Sequence, residues 1–224
     1  MSKYICGKNS VLEAIENNIP LKKIYISNRV TLKNNNEINV EVKTMNELSK
    51  LTKANHQGYV AEIEEFTYYN IDEIRKDNPK KVLVLDHIQD PHNFGAIIRT
   101  ANAAGIRHII IPKDRAVKVT PTVLKIASGG QIGIKIIRVD SLYPSLKKLK
   151  DDSFWIYATA LDDTAVDANY VNFNYPMVLI VGNEQKGVNK TLLKLSDEKI
   201  YINMEGTVQS LNVSVAAGIM LFKI

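Results

Sequence analysis

Residues 82–95 read Val82-Leu83-Val84-Leu85-Asp86-His87-Ile88-Gln89-Asp90-Pro91-His92-Asn93-Phe94-Gly95. The unbroken apolar run within Val82–Asp86 reads as a strand buried on both faces, the kind that parallel sheets use. Downstream, Ile97, Ile98 and Ala101 share one face of a helix expected over Phe94–Ala104, with Gly105 as its stop. Asn93 is well placed to cap that helix. The same succession then repeats. His108–Pro112 is strand-like, and Thr120-Pro121 starts a helix with proline in its first turn. Strand Ile134–Val139, helix Tyr143–Leu149, strands Phe154–Ala160 and Met177–Gly182, helix Lys190–Ser196, strand Lys199–Met204 and a last helix over about Leu211–Phe222 follow. Alternating strands and helices predict an α/β fold whose parallel sheet is covered on both faces. Ligands of such sheets sit beyond the carboxyl ends of the strands.

Toward the N-terminus the chain reads as a smaller α/β unit. Ser10 with Glu13 fits a capping box, opening a helix that carries Val11, Leu12, Ala14 and Ile15. Lys23–Ser27 is strand-like, Thr44 with Glu47 is a second capping box for a helix through Leu51, and Gly58–Phe66 alternates like a strand. Residues 69–79 are polar and contain Pro79, which is how linkers read. The expected domains are therefore 1–68 and 80–224, joined by 69–79.

Composition bounds the function. The chain has 224 residues, 45% apolar and 24% charged, which supports a core without staples and excludes disorder of the whole. Cys6 is the only cysteine, so no intrachain disulfide framework exists and a reducing compartment is expected. No apolar run approaches a membrane span, and Met1–Ile5 lacks a signal-peptide stretch, so the expectation is a soluble, cytoplasmic protein with no membrane partner. The net charge is +5, and residues 80–224 hold 18 basic against 13 acidic side chains. That balance suits a polyanionic partner, and an ordinary solvated surface explains it equally.

The usual nucleotide fingerprints are absent: neither G-x-G-x-x-G nor a P-loop occurs, which weighs against dinucleotide dehydrogenases and NTPases. No G-x-S-x-G elbow appears. His87 and His92 have no cysteine or third histidine nearby to complete a metal set, so no metal is expected. Three polar clusters nevertheless sit at strand ends. The first is Asp90–Gly95 followed by Arg99, beside a helix N-terminus that favours anions. The second is Val181-Gly182-Asn183-Glu184-Gln185-Lys186-Gly187, where two glycines bracket polar residues. The third is Gly206-Thr207-Val208-Gln209-Ser210-Leu211-Asn212-Val213-Ser214. Ser210 reads as the cap of the last helix, which leaves Asn212 inside an apolar first turn in need of a partner. Taken singly, caps and turns explain each cluster about as well as a site does.

Taken in order, N-F-G-x-x-x-R, G-N-E and I-x-M-x-G-x-x-x-S-L-N-V-S-V-A resemble the three motifs of the SpoU/TrmH family. That family belongs to the SPOUT superfamily of S-adenosylmethionine (AdoMet)-dependent RNA 2′-O-ribose methyltransferases. The resemblance covers about residues 80–224. Residues 4–14 and Asn55–Ala61 are similar to the start and last strand of the family's substrate-binding domain. The two-part layout is most similar to the RlmB branch, which methylates a guanosine ribose in the peptidyl-transferase region of bacterial 23S rRNA.

The resemblance implies an L30e-like N-terminal unit and a C-terminal SPOUT domain with a deep trefoil knot over about residues 178–224, dimerising around it. It implies AdoMet contacts at Thr159, Val181, Gly182, Ile202, Met204, Leu211 and Asn212, many of them through the backbone. Arg99 matches the arginine usually assigned to catalysis, and Asn93, Glu184, Ser210 and Asn212 match the polar residues around it. Lys22, Lys23, Arg29 and Lys53, with Arg99, are the candidates for RNA phosphate. One departure is visible: the family's I-P-M reads Ile202-Asn203-Met204 here. A tRNA guanosine or a resistance-type rRNA adenosine is the alternative target, and a non-catalytic rRNA assembly factor the alternative of another class.

Overall fold

The computed structural model describes residues 4–16, 19–32, 38–183 and 186–224. The chain divides into two compact units, Met1–Thr67 and Tyr68–Ile224.

The first unit holds β1 (Tyr4–Cys6), α1 (Lys8–Glu16), β2 (Leu21–Ser27), β3 (Val40–Lys43), α2 (Met45–Leu51) and β4 (Tyr59–Ile63). Its sheet runs β1-β4-β2-β3, with β4 antiparallel to β1 and β2, and β2 parallel to β3. Val11, Ile24, Ile26, Tyr59 and Ala61 form a core on one side; Tyr25, Leu48 and Val60 form one on the other. The second capping box forms as expected: Thr44 N–H donates to Glu47 Oε2 at 2.7 Å, and Glu47 N–H to Thr44 Oγ1 at 3.3 Å. The first does not. Helix α1 already begins at Lys8, directly after left-handed Gly7, so Ser10 lies inside it.

The second unit holds α3 (Asp72–Asp77), β5 (Lys81–Asp86), α4 (Pro91–Ala103), β6 (His108–Pro112), α5 (Pro121–Ala127), β7 (Lys135–Val139), α6 (Leu142–Asp151), β8 (Trp155–Thr159), β9 (Val166–Asp167), β10 (Met177–Gly182), α7 (Lys190–Leu195), β11 (Glu198–Tyr201) and α8 (Val213–Lys223). Seven parallel strands lie in the order β7-β6-β5-β10-β8-β11-β9. Alternate residues of the central strands, Val82, Val84, Val178 and Ile180 among them, join Leu142, Leu146 and Leu192 of α6 and α7 in one core. Helix α8 packs against β10 and α4, and α4 against α5. Gly95 makes the last contact possible, since a Cβ there would lie 2.7 Å from Ile126 Cβ. Strand order reverses between β5 and β10, and that switch point opens a crevice at the carboxyl ends of both.

Three further expectations need correction. Residues 69–79 are folded into the second unit: Tyr69 pairs with Ile137, and α3 buries Ile74 completely. Helix α4 is capped by Asp90, which accepts from His92 N–H at 3.0 Å with Pro91 in the first turn. Asn93 is buried instead. Helix α8 is capped by Asn212, not Ser210; its side chain accepts from Ser214 N–H at 2.9 Å. In both helices the residue that becomes the cap is the one whose choice lets the next apolar side chains, Phe94 and Val213, turn inward. Among the described residues no helix is long and apolar enough to cross a membrane.

Candidate functional site

Two adjoining clefts occupy the carboxyl side of the sheet. The first, about 420 Å³, opens at the ends of β8, β10 and β11. Thr159, Val181, Gly182, Ile202, Met204 and Leu211 all line it, six of the seven residues expected to hold AdoMet; Ser210 lines it too, and Asn212 does not. Its volume is in the range of small-molecule sites, as is its make-up of apolar walls with a few polar groups. Val181, Ile202, Met204 and Leu211 suit a flat, weakly polar base. At its edge stands Asp162. Hydrogen bonds from Thr164, then from Lys199, hold that carboxyl down to about 2, so it stays anionic, with Lys199 as its counter-charge at 3.0 Å. These features fit a nucleoside with a charged tail.

Gly182 ends β10 where the chain doubles back. A Cβ there would lie 2.2 Å from Gly187 C and from Val188 N, a collision with backbone that no rotamer relieves. Gly187 N–H closes the loop onto Asn183 O at 2.8 Å. Thr159 ties β8 to β10 by donating its hydroxyl to Ile180 O at 3.2 Å.

The second cleft, about 660 Å³, lies at the switch point and shares Asn183, Lys186, Gly187, Val188 and Val213 with the first. Asp86 is its floor and is 2% exposed. One carboxylate oxygen accepts from Asn189 N–H at 2.7 Å; the other is closely hydrogen-bonded to His87 Nδ1. Asn183 Nδ2 donates to His87 O at 3.0 Å, so the loops after β5 and β10 are tied together. Asn93 lines this cleft and accepts at 3.1 Å from Asn212 Nδ2, joining α4 to the cap of α8.

Other expected residues fall elsewhere. Arg99 is exposed on α4 and lines neither cleft. Glu184 lies outside the described residues. Lys22, Lys23, Arg29 and Lys53 belong to the first unit. Of these, Arg29 and Lys53 are exposed, Lys22 lies 3.4 Å from Glu62, and Lys23 lies 2.5 Å from Glu41. Asn203, at the departure from the family pattern, is exposed between the cleft residues Ile202 and Met204. Sequence reasoning missed Asp86, Asp162 and Asn189. Asp86 carried the one usable signal, a carboxylate closing an otherwise apolar strand.

Comparison with known proteins agrees with this geometry. Residues 80–222 match the SpoU rRNA Methylase family, and residues 4–69 match the RNA 2′-O ribose methyltransferase substrate-binding family. YacO of Bacillus subtilis, assigned to the TrmH family of tRNA/rRNA methyltransferases, is 32% identical over 99% of this chain and 94% of its own length. A Staphylococcus aureus protein with the same assignment is 35% identical over 98% of this chain and 94% of its own. The crystal structure of an AdoMet-bound rRNA methyltransferase from Sinorhizobium meliloti is similar at 27% identity and a TM-score of 0.68, covering 98% of this chain and 85% of that one. By the extent of both family matches and of these relatives, the chain belongs to the SpoU/TrmH family of RNA methyltransferases.

Proposed function

We propose that this RNA methyltransferase acts on the 2′-hydroxyl of a guanosine ribose in the peptidyl-transferase region of 23S rRNA, as an AdoMet-dependent cytoplasmic homodimer. The observation that carries the reading is the gathering of Thr159, Val181, Gly182, Ile202, Met204 and Leu211 around one nucleoside-sized cleft. AdoMet, when bound, supplies a methyl group on a sulfonium, which leaves by in-line displacement. The chain's own task is then to position and to desolvate. Apolar walls take the base, and Thr159 and the backbone after β10 and β11 orient it. Positioning alone supplies roughly 7–11 kcal/mol of barrier reduction in well-aligned systems.

Ser210 and Asn212 orient the ribose in this reading, and Asn93 holds Asn212 in place. Arg99 is always cationic and donates rather than accepts, so it grips RNA phosphate and stabilises developing alkoxide charge. Methyl transfer by Arg99→Lys is expected to fall by about 100-fold, because an ammonium does not reproduce the forked guanidinium; a near wild-type rate would remove that role. Lys22, Lys23, Arg29 and Lys53 serve as phosphate contacts of the N-terminal RNA-docking unit, Met1–Thr67, and the second unit, Tyr68–Ile224, carries the catalysis. The homodimer is supported by α8, which keeps Val215 and Phe222 exposed although its other side is packed. The knot over about 178–224 is supported by the placement of β10 between β5 and β8, and by a cleft walled jointly by Gly182, Asn183 and residues 186–188 on one side and by Ile202, Met204, Ser210 and Leu211 on the other.

The test is transfer of labelled methyl from AdoMet to unmodified large-subunit rRNA, mapped by ribose-methylation-sensitive cleavage. One labelled guanosine in the peptidyl-transferase loop is expected. Label in tRNA alone would overturn the rRNA target and keep the chemistry. Label in neither would favour an rRNA-binding assembly factor.

A further inference from the structure

We propose that the switch-point cleft seats a backbone phosphate of the RNA strand, and that His87, oriented by Asp86, donates a hydrogen bond to that phosphate. The proposal rests on the reading of the protein as an RNA ribose methyltransferase and names a contact that reading does not contain.

The first argument is backbone conformation. His87 has φ +60° and Arg115 φ +51°, the left-handed region that non-glycine residues enter at a cost. Both line this one cleft. The loops that carry them are laced together: Val117 N–H donates to Ile88 O at 2.9 Å, and Gln89 Nε2 to Arg115 O at 3.3 Å. The fold therefore holds two basic side chains at the cleft wall against their backbone preference.

The second argument is the ring's own bonding. Asp86 engages Nδ1, which leaves Nε2 for the cleft, and the His87 side chain is 35% exposed. A buried carboxylate behind an imidazole fixes the ring's orientation; with Nδ1–H given to Asp86, it is the doubly protonated ring whose Nε2–H donates to an anion.

The third is charge. The groups that share cleft walls with the ring are Asp86, Asp90, Asp114, Asp140 and the cations Arg115, Lys186 and Lys190. Asp90 is engaged in capping α4, and Asp140 pairs with Lys113 at 2.7 Å. Among the described residues Arg115, Lys186 and Lys190 make no ion pair. Asp86, Asp90 and Asp114 balance these three cations in number, but Asp86 and Asp90 spend carboxylate oxygens on backbone N–H groups of the chain, whereas the three cations stand unpaired for an anion; the shared wall puts them next to the cleft assigned to the methyl donor. A ribose-phosphate chain is the ligand that spans both.

The experiment compares wild type with His87→Gly and Arg115→Ala. Glycine accepts φ +60° without strain, so His87→Gly removes the ring from a backbone that still folds. Equilibrium binding to a large-subunit rRNA fragment and to bulk tRNA is measured between pH 6 and 8.5, with methyl-transfer kinetics on the RNA that accepts label. For His87→Gly the expected result is an RNA Kd and KM raised about tenfold near pH 6. The gap closes toward pH 8.5, with AdoMet affinity kept and the loss carried by KM rather than kcat. Arg115→Ala weakens RNA binding at every pH and lowers the salt slope by about one. RNA affinity identical to wild type in His87→Gly at all pH values overturns the contact, and so does a loss confined to kcat. Binding to tRNA with no rRNA methylation overturns the proposed target alone, because the pH-dependent difference is then read on tRNA. Wild type that binds neither RNA overturns both.

Discussion

Two aspartate–histidine pairs stand at opposite ends of the same parallel sheet, and they have different fates. At the amino ends of β6 and β7, His108 Nε2 lies 2.7 Å from Asp77 Oδ2, and the His108 side chain is 4% exposed. Lys135 Nζ lies 2.7 Å from that same carboxylate and 2.8 Å from Glu73, which also holds Lys76. Every charge there is answered from within the chain. At the carboxyl end of β5, Asp86 engages His87 on a left-handed backbone, and the ring faces open space. The same two residue types make a structural network where a lysine closes the set, and a receptive surface where none does. Residue identity does not separate these cases; the lysine on the carboxylate and the exposure of the ring, 4% for His108 against 35% for His87, do.

The comparison breaks most sharply at the catalytic end. Gly182→Ala is expected to cost on the order of 100-fold or more in AdoMet affinity and to lower the melting temperature, because the added carbon meets backbone and not a movable side chain. Calorimetric titration with AdoMet checks the first, a thermal melt the second.

Asn212→Ala comes next. It removes the cap of α8 and the donor to Asn93 together, and about 1–2 kcal/mol of stability should go with the cap. Methyl transfer should fall further than AdoMet affinity, since Asn212 lines neither cleft yet holds α8 to α4. A rate and affinity that fall in step would place it in the cofactor site instead.

The smallest effect is predicted at the other end of the sheet. Lys135 holds the Asp77 and Glu73 carboxyls below their ordinary range. A carboxyl depressed in the fold contributes stability above its unfolded pKa, about 4, and loses it as pH falls through the folded value. Lys135→Met should therefore melt a few degrees lower at pH 7, converge with wild type as pH falls through the lowered folded values, and leave methyl transfer unchanged. Melting curves across that pH range, beside one activity assay, decide it.

Much of the fold was legible because it depends on local pattern. The apolar run at 82–86, the Thr44–Glu47 box and the Thr120-Pro121 start each announce an element without help from distant residues. Asp90 and Asn93, or Ser210 and Asn212, compete as caps, and the winner depends on where Phe94 and Val213 are buried. That is tertiary information. The stretch 69–79 looked like a linker because a short helix that buries only Ile74 fully carries too few apolar residues to show a period. For the site, the motif resemblance supplied the cofactor residues. It did not supply the Asn93–Asn212 bond, which joins residues 119 apart in sequence, or the left-handed backbone at His87, since φ is not written in a side chain.

Asn183, Lys186, Gly187 and Val188 wall both clefts. A partition with a ligand on either side makes the two occupants thermodynamic neighbours: whatever tilt of that partition suits one is felt by the other. Linkage then demands symmetry. If a filled donor cleft tightens the grip on RNA by some factor, RNA tightens the grip on the donor by the same factor. Exchange of a methyl donor for its demethylated product is the natural event to change that factor, and a single shared strip of backbone suffices to register it.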